Sequence, residues 1–385
     1  MSNTLSYGKQ HIDDDDVAAV INTLRSDYLT QGPRVTEFEE SIRQLTGARY
    51  CVAVANGTAA LHLAVAALEL PAGSEGITTP MTFVASANAL VYNNLLPRFA
   101  DIDLMTGCID PAAIKKAITP RTKMVIPVHY AGQPADMESI KTIADQHNLK
   151  IIEDAAHAIG SYYADGTPVG SGRYADLTTF SFHPVKTITT AEGGAITTND
   201  DVLYQRLLLL RTHGITKSPE YLSQNPGPWY YEMQTLGFNY RLSDLHAALG
   251  ISQMKKLPNF IRRRRDIVTE YNKAFAELSY VSIPVERKGI ISAFHLYTLR
   301  IDFQVLKTTR AIVMRRLADQ GIGTQVHYIP VHMQPYYQKN FGYHLGDFPI
   351  AEDFYEQELS LPLYPDLTNT DVTRVITAIK SLSAN

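Results

Sequence analysis

Residues 181–195 read SFHPVKTITTAEGGA, and the only lysine of this stretch is Lys186. Most of its neighbours are apolar, and an apolar setting lowers the pKa of an amine and so favours imine chemistry. Upstream, residues 150–157 read KIIEDAAH, in which an apolar strand pattern ends at Asp154. A carboxylate at that point is costly to bury without a partner. The interpretation of the chain starts from this amine and this carboxylate.

One cofactor requires both groups. Pyridoxal phosphate needs an amine to hold its aldehyde as a Schiff base, and a carboxylate to keep its ring nitrogen protonated so that the ring accepts electrons. We therefore predict that Lys186 and Asp154 are the catalytic residues of a pyridoxal phosphate site. The alternatives are that Lys186 is an exposed surface lysine and that Asp154 caps the next helix. Glu153 should point to the opposite side of the strand, because side chains alternate along it.

A candidate seat for the phosphate lies further upstream, where residues 55–61 read ANGTAAL between a strand and a helix. Unpaired N–H groups at the start of a helix attract a phosphate. Gly57 lets the main chain approach closely, Thr58 adds a hydroxyl, and Ser181, at the end of another strand, could join them. The alternative is that Asn56 only caps an ordinary helix.

Two further residues are candidates for contacts with the cofactor ring. Phe83 lies in residues 79–88, which read TPMTFVASAN, at a strand end. Open parallel sheets bind ligands there, and an aromatic side chain can lie against a flat ring. The alternative for Phe83 is core packing. His157 follows Asp154 by three residues and could reach the phenolic oxygen, although a lone histidine is more often structural.

Short apolar strand patterns alternate with helical patterns over residues 35–200. This alternation predicts an α/β fold with a mostly parallel sheet covered by helices on both faces. The predicted strands are 50–55, 76–79, 97–102, 123–129, 150–154, 177–182 and 194–198.

The pattern changes after the sheet. Residues 214–238 form a long irregular excursion, of a kind that is usually functional or packed on a partner. A helix over 243–257 follows, and beyond Pro258 the pattern predicts a smaller α+β domain. We therefore divide the chain into a large cofactor-binding domain, 1–250, and a small C-terminal domain, 251–385.

Composition narrows the classes of function. The net charge of the 385 residues is 35 − 39 = −4, which predicts no general attraction to nucleic acid or to an anionic membrane. The sequence shows neither an export signal nor an apolar run of the ~20 residues that span a bilayer, so the expected location is the cytoplasm. Cys51 and Cys108 form no metal-binding spacing, and no metal site is expected. The basic run 262–265 is interpreted as a solvated helix face after a hinge, with a phosphate or nucleic-acid contact as the alternative.

The chain resembles a known family from about residue 5 to residue 380. It is similar to the type I fold pyridoxal phosphate-dependent aminotransferases of nucleotide-linked keto sugars, the DegT/DnrJ/EryC1/StrS family. The resemblance implies the aspartate aminotransferase fold, with a mostly parallel sheet in the large domain and a smaller C-terminal α+β domain. The matching segments are 56–61, 80–88, 153–157, 181–194, 237–244 and 327–330.

The resemblance also implies roles for single residues. Lys186 would carry the cofactor and shuttle protons, Asp154 would pair with the pyridine nitrogen, and Asn239 would reach the phosphate of the neighbouring subunit's cofactor. The last role implies a homodimer with shared active sites. The other implied cofactor contacts are Gly57, Thr58, Phe83, His157 and Ser181. The implied contacts with the sugar nucleotide are Tyr7, Asp27, Tyr28, Leu29, Thr30, His327, Tyr328, Ile329 and Pro330.

Within the family, residues 183–194, 325–328 and 351–355 are most similar to the branch that acts in the pseudaminic-acid pathway, although Thr187 stands where that branch is expected to have proline. This similarity implies amination of C4 of a UDP-linked 4-keto-6-deoxy-N-acetyl sugar with L-glutamate as donor. One alternative is another nucleotide-linked keto sugar, of the perosamine, 4-amino-arabinose or bacillosamine type. A pyridoxal phosphate-dependent sugar dehydratase would replace Lys186 by histidine. A non-enzymatic regulator would need an added domain or a basic helix-turn-helix.

Overall fold

A computed structural model describes residues 4–383. Its centre is a sheet of seven strands, in which six run in one direction and one runs against them. The predicted mostly parallel sheet is therefore confirmed. The strands are β1 (Tyr50–Val54), β2 (Glu75–Thr78), β3 (Leu96–Phe99), β4 (Thr122–Ile126), β5 (Lys150–Asp154), β6 (Leu177–Ser181) and the reversed strand β7 (Gly194–Thr198), and they lie in the order β1-β7-β6-β5-β4-β2-β3.

Helices pack on both faces of this sheet. Neighbouring residues of one strand belong to different cores, as Ile151 and Ile152 of β5 do, because side chains alternate across a sheet. Within residues 4–383, no helix combines the length and the apolar character that crossing a membrane requires. The helices that accompany the sheet are α1 (Asp14–Leu24), α2 (Pro33–Thr46), α3 (Gly57–Ala67), α4 (Ala85–Tyr92), α5 (Pro111–Ala117), α6 (Met137–His147) and α7 (Asp201–Arg211).

One edge of the sheet collects the ends of several strands. β1, β5 and β6 run in the same direction and end there, at Val54, Asp154 and Ser181. The reversed strand β7 begins at the same edge, because Gly194 pairs with both Val54 and Ser181. Because these strands end side by side, the predicted site residues Asp154, Ser181 and Gly57 lie close together. Parallel sheets commonly bind ligands at this edge.

Three predicted segments differ in detail. The strand predicted over 97–102 spans Leu96–Phe99 and so ends three residues earlier. The strand predicted over 123–129 ends at Ile126, because Pro127 has no N–H to continue the ladder. The chain still follows β5 beyond that point, since the Asp154 N–H donates to the carbonyl of Pro127 at 2.9 Å. The excursion 214–238 contains a short antiparallel hairpin of β8 (Ile215–Thr216) and β9 (Glu232–Met233).

A second core lies toward the C-terminus, around a small antiparallel sheet in the order β10-β11-β12, formed by β10 (Val281–Ser282), β11 (Tyr297–Ile301) and β12 (Glu358–Leu361). Its buried side chains include Leu5 from the other end of the chain, which pairs with Ile322. The helices of this half are α8 (Asp244–Phe275), α9 (Arg310–Asp319), α10 (Pro335–Phe341), α11 (Pro349–Gln357) and α12 (Asn369–Lys380).

Helix α8 runs unbroken through Pro258, so the predicted end near residue 257 and the hinge after it are wrong. Proline removes one hydrogen bond from a helix, but Leu257 and Phe260 are buried on either side and packing holds the helix together. The proposed boundary between residues 250 and 251 lies inside this helix and stays a prediction.

The basic run 262–265 is largely not a solvated face, which corrects the sequence interpretation. Arg264 is fully buried, and its Nη1 donates to the carbonyls of His295 at 3.1 Å and Leu363 at 2.8 Å. Burial lowers the pKa of Arg264 to about 10. Arg265 donates to Glu286 at 2.7 Å. These contacts link α8 to the second core. Of the four arginines, only Arg262 is exposed.

Candidate active site

A cavity of about 650 Å³ opens at the sheet edge where β1, β5 and β6 end. Its wall combines side chains from the large sheet with the 327–328 segment near the second core. Ten of the residues predicted from the sequence to form the site line this one cavity: Tyr7, Gly57, Thr58, Phe83, Asp154, His157, Ser181, Lys186, His327 and Tyr328.

The predicted phosphate seat lies at the start of α3, where the main chain at Gly57 packs closely against Ser181 at the end of β6. Asn56 caps α3, since its side chain accepts from the Ala59 N–H at 2.8 Å. Among residues 4–383 no acceptor bonds to the N–H of Gly57 or Thr58, so these two donors remain available at the positive end of the helix. A Cβ on Gly57 would lie 2.8 Å from the Cβ of Ser181, which explains why glycine is needed here. Capping and phosphate binding are therefore compatible at this turn.

Asp154 is buried and held by two hydrogen bonds. Its Oδ2 accepts from Ser86 Oγ at 2.6 Å, and its Oδ1 accepts from the Ala156 N–H at 3.1 Å. The Ser86 hydroxyl lies 2.8 Å from Thr82 Oγ1, so a short chain of hydroxyls backs the carboxylate. These contacts orient Asp154 while it remains in the cavity wall.

Glu153 occupies the other side of β5, as the alternation of side chains predicts. Its carboxylate accepts from Tyr163 Oη at 2.5 Å and from Thr178 Oγ1 at 2.6 Å. The two adjacent acids are therefore separated by the strand, one internal to the protein and one presented to the cavity.

Lys186 follows a tight turn in which its N–H donates to the carbonyl of His183 at 2.8 Å. Its side chain is partly buried in the cavity wall, and no residue within 4–383 hydrogen-bonds to Nζ. Burial lowers the pKa of Lys186 to about 8, and the neighbouring charge of Asp154 acts in the opposite direction. This amine therefore loses its proton more readily than that of an exposed surface lysine.

His157 is oriented by both of its ring nitrogens. Nδ1 accepts from the Ala131 N–H at 3.3 Å, and Nε2 lies 3.1 Å from Tyr328 Oη. Burial, together with the charge of Lys186 and the nearby His327, holds the pKa of His157 well below its usual value. The ring is therefore neutral, and because Nδ1 accepts, the proton lies on Nε2, from which it donates to Tyr328 Oη.

Aromatic side chains form part of the cavity wall. Phe83 is 58% exposed, so core packing does not account for it, and its ring centre lies 6.2 Å from that of Tyr328. The ring of Tyr7 lies 5.2 Å from that of His327. This wall offers flat apolar surfaces beside polar tips, which suits a ring-shaped ligand with polar substituents.

Other residues predicted from the sequence do not line the cavity of their own chain. Asp27, Tyr28, Leu29 and Thr30 are exposed on the surface, and Asn239 is exposed as well. The first segment is fixed at the start of α8, where the Asp244 N–H donates to the carbonyl of Leu29 at 3.0 Å. Ile329 is exposed and Pro330 is buried beside the cavity-lining pair 327–328. The roles given to these residues stay predictions.

Several residues that line the cavity or support its wall were not identified from the sequence. Ser86, which holds Asp154, lies inside the segment 79–88 that was singled out for Phe83 alone. His295 lines the cavity 4.4 Å from His157, measured between ring centres, and no motif surrounds it. Glu358 and Ser360 stand behind His327. Only Ser86 had a signal in the sequence, a hydroxyl at the first turn of a helix beside the predicted carboxylate.

Comparisons with known proteins identify the family of the chain. The model of the DegT/DnrJ/EryC1/StrS aminotransferase family matches residues 10–380. The spore coat polysaccharide biosynthesis protein SpsC of Bacillus subtilis is 41% identical over 379 residues, covering 98% of this chain and 97% of that protein. Helicobacter pylori PseC, an aminotransferase of pseudaminic acid biosynthesis, has a TM-score of 0.91 and 33% identity over 99% of each chain. The sugar aminotransferase Spr1654 of Streptococcus pneumoniae, in its pyridoxal phosphate form, has a TM-score of 0.90 and 31% identity over 99% of each chain.

Proposed function

Because the chain belongs to the DegT/DnrJ/EryC1/StrS aminotransferase family and is a pyridoxal phosphate-dependent sugar aminotransferase, we propose that it aminates C4 of a UDP-linked 4-keto-6-deoxy-N-acetyl sugar. L-Glutamate is the proposed amino donor, and the proposed setting is nucleotide sugar biosynthesis of the pseudaminic-acid type. The observation that carries the reaction class is the meeting of Lys186 and Asp154 in one cavity. The similarity to H. pylori PseC supports this choice of sugar.

The residues present fit the cofactor. The free N–H groups of Gly57 and Thr58, with Ser181, would hold its phosphate, and the close approach of Gly57 to Ser181 leaves no room for a side chain there. Asp154, held by Ser86, would pair with the pyridine nitrogen, and His157, whose Nε2 donates to Tyr328 Oη, is the proposed contact of the phenolic oxygen. Phe83 would lie against the ring, and Lys186 would supply the amine.

When bound, pyridoxal phosphate carries the amino group between donor and acceptor and delocalises the electron pair left by deprotonation. Lys186 Nζ removes the proton from the α-carbon of glutamate and returns a proton to C4 of the sugar. A pKa lowered to about 8 suits both roles, because the amine is then a base and an acid near neutral pH. Asp154, fixed by Ser86, is positioned to oppose positive charge on the pyridine ring.

We also propose a homodimer in which Asn239 and residues 27–30 complete the partner's cavity. Both lie outside the cavity of their own chain, and they are linked through the start of α8, where Thr30 pairs with Ser243. The excursion beside Asn239 exposes large apolar side chains, among them Trp229 at 69% and Leu236 at 76% exposure. An apolar surface of this kind is typical of a contact with a second copy.

Mixed dimers test this sharing of sites. Lys186→Ala and Asn239→Ala subunits, each inactive or impaired alone, should restore activity when refolded together, because one hybrid site then holds both intact residues. A mixture of Lys186→Ala with Asp154→Ala is the control and should stay inactive, since both residues line the same chain's cavity. Restoration that fails in the first mixture, with hybrid dimers present, would show that Asn239 serves its own chain.

The substrate is tested with a panel of nucleotide sugars. The holoenzyme is incubated with L-glutamate and UDP- or dTDP-linked 4-keto sugars, and the products are identified by mass. We expect the UDP-linked 4-keto-6-deoxy-N-acetyl sugar to be aminated with the highest kcat/KM. Preference for a perosamine, 4-amino-arabinose or bacillosamine precursor would overturn the choice of sugar and leave the reaction class intact, whereas loss of water without amination would identify a dehydratase.

A further inference from the structure

A buried carboxylate stands behind the cavity, in strand β12. Glu358 is fully buried; its Oε1 accepts from Ser360 Oγ at 2.5 Å and its Oε2 accepts from the N–H of His327 at 2.7 Å. Ser360 Oγ also lies 2.8 Å from Nδ1 of His327. The ring of His327 lines the cavity, and within residues 4–383 its Nε2 has no hydrogen-bond partner. A continuous chain of three polar groups thus links a hidden acid to a cavity nitrogen.

The serine hydroxyl has one proton, so the directions of the two bonds are coupled. If Glu358 is ionised, Ser360 donates to Glu358, Nδ1 of His327 donates to Ser360, and Nε2 is left as an acceptor. If Glu358 is protonated, it donates to Ser360, Ser360 donates to Nδ1, and the ring proton lies on Nε2, which becomes a donor. Each state of the acid therefore corresponds to one tautomer of the histidine.

We propose that Glu358, acting through Ser360, sets the tautomer of His327 and so decides whether its Nε2 donates to or accepts from the bound sugar nucleotide. Glu358 and Ser360 are positioning residues in this scheme, since neither lines the cavity. The role of the sugar nucleotide rests on the proposed function; the coupling between the three side chains does not.

The surroundings favour the donor state near neutral pH. Burial raises the pKa of Glu358 to about 8, and burial with the charge of Lys186 lowers the pKa of His327 to about 3, so the ring stays neutral. Arg310 is the basic group beside Glu358, with Nη1 donating to its carbonyl at 3.5 Å, and it favours the ionised acid. A donor at Nε2 suits a carbonyl oxygen of the substrate. The other titratable groups that face Glu358 or His327 are Tyr7, Tyr130, His157, Lys186, His295 and Tyr328.

The direct test is ¹⁵N NMR of the holoenzyme labelled at its histidine ring nitrogens, with the His327 signals assigned by their loss in His327→Asn. The wild type should have the proton on Nε2 at pH 6.5 and on Nδ1 at pH 9.5. Glu358→Gln should keep it on Nε2 at both values, because the amide donates to Ser360 as the protonated acid does. Ser360→Ala should abolish the pH response, and Ser360→Thr should restore it.

Glu352→Gln is the matched control, because Glu352 accepts from a second buried histidine, His332, at 2.9 Å outside the cavity. It should leave the His327 signals as in the wild type. The proposal is overturned if the wild-type ring keeps one tautomer at both pH values, or if Glu358→Gln and Ser360→Ala respond as the wild type does. Ser360→Ala decides the matter alone should Glu358→Gln not fold.

Kinetics give an independent readout. Loss of the donor should raise the KM for the sugar nucleotide roughly five- to tenfold between pH 6.5 and 9.5 in the wild type, the worth of about one hydrogen bond. The rise should be absent in Glu358→Gln, while the half-reaction with glutamate should be equal in both proteins. Any ionisation of Lys186 is common to the two proteins and cancels in their ratio. If the panel of nucleotide sugars contradicts the proposed substrate, the NMR result on His327 still stands. The two proposals can therefore be refuted independently.

Discussion

Removal of the Ser86 hydroxyl should impair catalysis without touching the reacting groups. In Ser86→Ala, Oδ2 of Asp154 loses a donor at 2.6 Å, while Oδ1 keeps the Ala156 N–H at 3.1 Å. A hydrogen bond to a charged group contributes about 1.5–3 kcal/mol. Thr82 Oγ1, 2.8 Å from the lost hydroxyl, also loses a partner. If this energy is expressed in the rate, kcat/KM falls roughly 10- to 150-fold, since 1.36 kcal/mol is a factor of ten.

The assay is the half-reaction with L-glutamate, followed in a stopped-flow instrument by the absorbance of the bound cofactor. Ser86→Thr keeps a hydroxyl and should recover most of the rate. Thr78→Val is the matched control, because it removes a buried hydroxyl of neighbouring β2 that donates at 2.8 Å to the Ile126 carbonyl and does not touch Asp154. Should Ser86→Ala be no slower than Thr78→Val, the inference that Ser86 orients Asp154 would be refuted.

Three further outcomes are expected. Lys186→Ala should abolish turnover together with the visible absorbance of the linked cofactor, and retention of both would remove Lys186 from its assigned role. In the apoprotein, the rate of cofactor linkage should rise with pH with a midpoint near pH 8, because burial lowers the pKa of Lys186 to about 8 and only the neutral amine reacts; stopped-flow absorbance reports the rate, and a midpoint near pH 10.5 would contradict a buried amine. Arg264→Met should lower the free energy of unfolding by about 2–4 kcal/mol in urea titration, since the carbonyls of His295 and Leu363 lose their buried donor, whereas exposed Arg262→Met should change it by less than about 0.5 kcal/mol.

The central sheet could be predicted because its signals are local. Each strand is a short apolar run, and the alternation with helical patterns reports the βα repeat directly. Pro127 could have placed the end of β4 correctly, since a residue without an N–H cannot continue an inner ladder. Pro258 led to a wrong prediction of the end of α8. The hydrogen bond that proline removes can be inferred from the sequence, whereas the burial of Leu257 and Phe260, which outweighs that loss, depends on the folded chain.

The residues of the site also fall into those that the sequence could predict and those that it could not. Lys186, Asp154 and Gly57 lie in contiguous segments whose spacing carries their chemistry, and the structure brings them to one cavity. Ser86, Glu358 and Ser360 act through contacts between elements far apart in the chain. Ser86 is marked only by its place in the segment 79–88, and nothing local marks Glu358 or Ser360. Arg264 shows the limit most plainly. Four consecutive arginines suggest an exposed segment, yet this one is buried and donates to the carbonyls of residues 295 and 363. Long-range pairing of polar groups is what the sequence alone does not report.

The continuity of α8 has a mechanical consequence. At 1.5 Å per residue, its 32 residues make a rod about 48 Å long that is embedded in the sheet-side core at one end and in the C-terminal core at the other. A movement of the C-terminal core relative to the sheet would therefore bend α8. The helix would bend most easily at Pro258, where one main-chain hydrogen bond is missing.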